Sequence, residues 1–68
     1  MSKFIKFRDV TKRNYVINSE CIEQISYLDD NEYLSISYKD KDKTISYFFE
    51  SAGVAEYYFD SILTQLNE

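Results

Sequence analysis

The side chains able to make or break bonds are few and far apart. The chain has no histidine and a single cysteine, Cys21. Its thiol therefore has no imidazole to draw off a proton, and it reads as a small half-buried apolar residue. Ser51 is the obvious hydroxyl to consider as a nucleophile. It directly precedes an amphipathic run, however, where a serine caps a helix by accepting from an early backbone N–H. Gly53 is the only glycine, so no glycine-rich loop can wrap a phosphate. Oxygen ligands cluster at Asp29, Asp30, Asn31 and Glu32, and again at Asp40 and Asp42. Neither cluster has the length or the central glycine of a calcium loop. Lysines bracket the second cluster, which reads as a solvated turn. No catalytic residue, metal ligand or cofactor is expected.

Surface recognition is the chemistry left. Seven tyrosines and five phenylalanines in 68 residues can build a core from few residues, and those left on the outside can anchor a protein interface. Phe48, Tyr57 and Tyr33 fall on the outward side of their elements and are the candidate protein-binding residues. The alternative is nucleic acid. Residues 1–20 carry five basic side chains, Lys3, Lys6, Arg8, Lys12 and Arg13, against two carboxylates, whereas residues 21–68 carry three lysines against ten. A basic hairpin could hold phosphate while Tyr33, Tyr27 or Phe48 stacks on bases. Against this, the net charge is −4, and phosphate affinity is driven by cations.

These residues must be positioned by short elements. Residues 3–8 alternate, with Ile5 and Phe7 inward. Residues 9–14 form a charged hairpin loop, and residues 14–17 return with Tyr15 and Ile17 paired. Asn18 and Ser19 suit a capped corner of one helical turn over residues 19–22, leading into a strand over 23–28. Residues 29–32 are the clearest hairpin loop. Residues 33–39 alternate cleanly through Leu34, Ile36 and Tyr38, residues 39–43 turn, and residues 44–50 place Ile45, Tyr47 and Phe49 inward. From residue 51 to residue 67 the period changes. Val54, Ala55, Tyr58, Phe59, Ile62, Leu63 and Leu66 occupy one arc of a helix whose N-cap is Ser51. The order defines an α+β domain over residues 1–68: an antiparallel β-meander of about five short strands, packed by one C-terminal α-helix.

The series Tyr15-Val16-Ile17-Asn18, then Ile22 and Ile25, then Leu34 and Ile36, then Glu50-Ser51 opening a helix with Glu56 and Ile62, resembles the FlbD-like small proteins linked to flagella and swarming motility. The likeness runs from Phe7 to Leu63. The Asn-Gly and Gly turns of that pattern are replaced here by residues 9–14 and 39–43. The resemblance implies a non-enzymatic accessory protein of bacterial origin; compact acidic proteins of phages that bind a host protein fit the same description.

A chain of this length buries only about 60% of its unfolded surface, and a homodimer would supplement that burial. The longest uninterrupted apolar run is three residues, too short for a membrane span. One free thiol, with an opening that lacks an apolar signal region, suggests the cytoplasm. The expected activity is docking onto another protein.

Overall fold

The computed structural model describes residues 3–40 and 42–67. Five strands, β1 (Phe4–Arg8), β2 (Asn14–Asn18), β3 (Ile22–Ser26), β4 (Tyr33–Tyr38) and β5 (Lys43–Phe48), precede one helix, α1 (Ala52–Leu66). The α+β order expected from the periodicities is thus the observed one. All pairings are antiparallel, but the strands form two sheets, β1-β2 and β3-β4-β5. Between them a 3-10 turn, Ser19–Cys21, turns the chain; Asn18 caps it, its Oδ1 accepting from Glu20 N–H at 3.0 Å. A bulge between Ile22 and Gln24 then shifts the register, which accounts for the three-residue spacing of Ile22 and Ile25.

The sheets meet at one corner, where Val10 N–H donates to the Phe48 carbonyl at 2.8 Å. Residues 9–13 form the first loop. Lys12 N–H bonds the Asp9 carbonyl, Asp9 N–H bonds the Arg13 carbonyl, and Lys12 adopts φ 71°, the left-handed position of a turn followed by a bulge. Asp30 (φ 72°) and Asp42 (φ 46°) supply the same backbone conformation in the other two hairpins. Three polar side chains thus stand where glycine would be strain-free. Lys41, part of the expected turn at residues 39–43, lies outside the described residues.

The core joins both sheets to the helix: Ile5, Phe7, Leu34, Ile36, Tyr38, Tyr47, Phe49, Ala55 and Ile62 are buried. Ile5, Leu34, Ile36 and Ile62 are fully enclosed, each contributing about 1.5–3 kcal/mol through burial. Aromatic rings bind the two sheets together. Phe7 stacks on Tyr15 at 5.0 Å and meets Tyr47 edge-on at 5.0 Å. Ser51 caps the helix as its position implied, its Oγ accepting from Val54 N–H at 3.2 Å. At the other end Lys3 Nζ donates to the Leu66 carbonyl at 3.4 Å, a cation at the negative end of the helix dipole.

One helix position departs from the expected arc. Leu63 is exposed, because α1 packs over β1 and β4 and leaves the flank beside β3 uncovered. No described helix is long and apolar enough to cross a membrane.

Candidate functional site

Alternation along β4 and β5 defines the outer face of the three-stranded sheet. Tyr33, Ser35 and Ser37 stand opposite Phe48, Ser46 and Thr44. The last two rungs are hydroxyl pairs, Ser35–Ser46 at 3.2 Å and Ser37–Thr44 at 2.9 Å. The first rung is aromatic, with the Tyr33 and Phe48 rings 5.2 Å apart. Phe48 remains 52% exposed and Tyr33 37%, so their contact with each other does not cover them. Beside this rung Val10, also exposed, is tied to the Phe48 carbonyl, and Lys12 Nζ lies 3.6 Å from Glu50 Oε2. An apolar island on a hydroxyl-lined sheet, bordered by an ion pair, is the most site-like feature of the sheet surface.

Tyr57 belongs elsewhere. It is 67% exposed on α1, and its ring contact is an edge-on one with Tyr58 at 5.2 Å. Tyr58 in turn stacks on the buried Phe49. The structure therefore brings Tyr33 and Phe48 together and leaves Tyr57 on the helix. Tyr27, considered above as a stacking platform, is half-buried. Its ring lies 5.6 Å from Phe59 and its hydroxyl donates to the Ala52 carbonyl at 3.1 Å, so it serves packing.

Three of the five basic side chains, those of Lys3, Arg8 and Lys12, bond within the fold. Lys3 is engaged with the helix end and Lys12 with Glu50. Arg8 Nε donates to Asn14 Oδ1 at 3.1 Å, while the Arg13 bond to the Asp9 carboxylate is made by its backbone N–H and not by its guanidinium. Lys6 and Arg8 share the outer face of β1, beside an open depression of about 510 Å³ whose walls include Tyr15 and Tyr58.

Two residues that pattern reading did not single out organise this region. Asp9, part of the expected charged hairpin loop, is buried. Its Oδ1 accepts from Thr11 Oγ1 (2.6 Å), Thr11 N–H (3.0 Å) and Arg13 N–H (3.2 Å), and its Oδ2 accepts from Tyr15 OH (2.9 Å). The Thr11 hydroxyl foremost, with the other donors, holds its carboxyl below the ordinary range against the opposing effect of burial. The spacing Asp-x-Thr before a strand was the available signal. Gln65 is the second, and no sequence pattern marked it; its amide reaches the backbone of Lys6.

Cys21 is half-buried and free. Among the described residues no group of three or more acidic or cysteine side chains is placed to hold a metal ion. Comparison of the chain with protein-family models, with curated proteins and with solved structures found no match in any of the three.

Proposed function

We propose that this chain is a non-enzymatic docking module that recognises another protein through the aromatic rung Tyr33–Phe48. The observation that carries the reading is the placement of two touching, exposed rings on a face otherwise lined with hydroxyls. Rings of this kind, with an ion pair at their border, match the apolar centre and polar rim of a recognition patch. The resemblance to the FlbD-like motility proteins supports an accessory role in a bacterium or phage, the single free thiol supports the cytoplasm, and the small core supports a homodimer.

A cross-strand aromatic pair also stabilises its own sheet, by about 0.2–1 kcal/mol. Function and stability are therefore separated by size of effect. Phe48→Ser lowers Tm by several degrees at most yet abolishes capture of the partner in a pull-down. If the substitution unfolds the chain, or if capture survives it, the rung is structural and the reading fails. Light scattering over a concentration series tests the dimer.

The second reading, nucleic-acid contact, draws on Lys6 and Arg8 at the depression on β1. It requires binding to generic DNA or RNA that weakens as salt rises; no binding at low salt removes it.

A further inference from the structure

The outer edge of β3 is open, and the space beside it has a chemistry of its own. β3 borders the three-stranded sheet. Phe49 N–H bonds the Glu32 carbonyl, so the even-numbered residues of β4 exchange hydrogen bonds with β5 and the odd-numbered ones face β3. The Lys39 N–H bond to the Cys21 carbonyl agrees. Gln24 and Ser26, opposite Ser37 and Ser35, are therefore the bonded partners of β4. Ile25 between them turns its N–H and C=O outward, and the alternation continues to Tyr27. Among the described residues, no hydrogen bond from another segment reaches the main chain of Ile25 or Tyr27. The corresponding edge of β1 is occupied, at Lys6 by Gln65 and at Val10 by Phe48.

Because α1 packs over β1 and β4, a groove remains between it and this edge in two separate parts, with Tyr27 reaching across to Phe59 and the Ala52 carbonyl. One part, about 260 Å³, is lined by Ile22, Ile25, Leu63 and Leu66, with Glu23 at its side. The other, about 310 Å³, lies past Tyr27 and is lined by Asp29, Asp30 and Glu56. The groove is thus apolar along the strand and anionic at the strand's C-terminal end. The lysine at the opposite end, Lys3, is engaged with the Leu66 carbonyl.

We propose that β3 takes an added antiparallel strand from a partner protein, an extended apolar segment that carries lysine or arginine at its N-terminal end. The outward N–H and C=O of Ile25 supply the main-chain bonds, and alternate side chains of the segment enter the groove beside Leu63. Antiparallel pairing places the segment's N-terminus at Asp29, Asp30 and Glu56, which fixes the end that must be basic. A second copy of this chain is the wrong occupant: residues 19–28, which would lie along the edge in a β3-to-β3 pairing, hold Glu20 and Glu23 and no lysine or arginine, so they bring no cation to Asp29, Asp30 and Glu56. This surface is two strands from Phe48 and does not depend on the aromatic rung.

The test uses the full chain, amide hydrogen exchange and two blocked peptides, Lys-Lys-Val-Thr-Val-Thr-Val and its reversed sequence. The first peptide slows exchange at Ile25 and binds about tenfold more tightly than the second. The Asp29→Lys/Glu56→Lys variant removes that preference, whereas Phe48→Ser leaves it intact. Unchanged exchange at Ile25 up to millimolar peptide, equal binding of the two peptides, or protection of Ile25 that grows with protein concentration alone overturns the proposal.

Discussion

The side-chain amide of Gln65 pairs with the main chain of Lys6 as a neighbouring strand would: its Oε1 accepts from Lys6 N–H at 2.8 Å and its Nε2 donates to the Lys6 carbonyl at 3.1 Å. Residues 59 positions apart in sequence are thereby joined, and the last turn of α1 closes the free edge of β1. Open strand edges invite pairing with other chains, so this contact both anchors the helix and protects the edge. Gln65→Ala removes both bonds and is expected to cost about 1–2 kcal/mol and to increase association at β1. Gln65→Glu keeps the acceptor but sets a carboxylate oxygen against the Lys6 carbonyl and a negative charge at the negative end of the helix, so its loss should be at least as large. Urea unfolding of the three proteins measures the order; equal stabilities would show that the pair contributes nothing.

Asp9 holds the first hairpin through bonds to Thr11, Arg13 and Tyr15. Asp9→Ala strands those donors and should cost about 2 kcal/mol or more. Because its folded-state pKa lies below the ordinary value of 3.8, the stabilisation is present above that pH and lost as pH falls through the lowered value. Acid unfolding of Asp9→Asn should accordingly show a weaker pH dependence below pH 3.8 than the parent chain. Identical acid slopes would contradict the assignment.

Tyrosine ionisation limits stability at the other end of the scale. Tyr38 is buried against Tyr47, the two hydroxyls 2.7 Å apart. Burial first, and the bond to Tyr47 second, raise its pKa well above the ordinary value of 10.0. The unfolded chain then releases this proton at lower pH than the folded one, so stability is full below pH 10.0 and falls as pH rises beyond it. Tyr38→Phe should lose stability more slowly in that alkaline range, even though removing the buried bond lowers stability at neutral pH. Thermal melts between neutral pH and the alkaline range decide.

Backbone conformation predicts a pair of opposite substitutions. Lys12 occupies the left-handed region at φ 71°, and Lys12→Gly should stabilise by about 0.5–1 kcal/mol; the exposed ion pair it gives up is worth little. Gly53 lies in the first turn of α1, and a Cβ there would meet Ser51 Oγ at 3.8 Å, an ordinary contact. Gly53→Ala should therefore stabilise by up to about 1 kcal/mol. Denaturant midpoints measure both, and a loss at either position contradicts the reading.

The elements were legible because their periods are short-range properties: Leu34, Ile36 and Tyr38 alternate, and Ser51 stands where the period changes. The division into two sheets was not: the corner at Ser19–Cys21 can be read from Asn18 and Ser19, but whether β2 and β3 pair across it depends on contacts distant in sequence, such as the bond between Val10 and Phe48. The burial of Asp9 within the first loop left no mark in composition, as it goes with bonds from Thr11, Arg13 and Tyr15 that depend on how the hairpin closes. Leu63 shares the apolar arc of α1 but not its cover, because the tilt of a helix over a sheet leaves no mark in its own periodicity. For the candidate site, outward placement of Phe48 and Tyr33 followed from alternation, whereas their pairing required the register. The groove beside β3 arises from helix placement and from residues distributed over three segments.

Recognition through the aromatic rung is tested most directly by photo-crosslinking in the producing cell, with a benzophenone side chain at Phe48 and, as a control on the same face, at Thr44. The docking account predicts a covalent adduct with another protein from position 48 and little from position 44. No adduct at either position, or equal adducts at both, would contradict it.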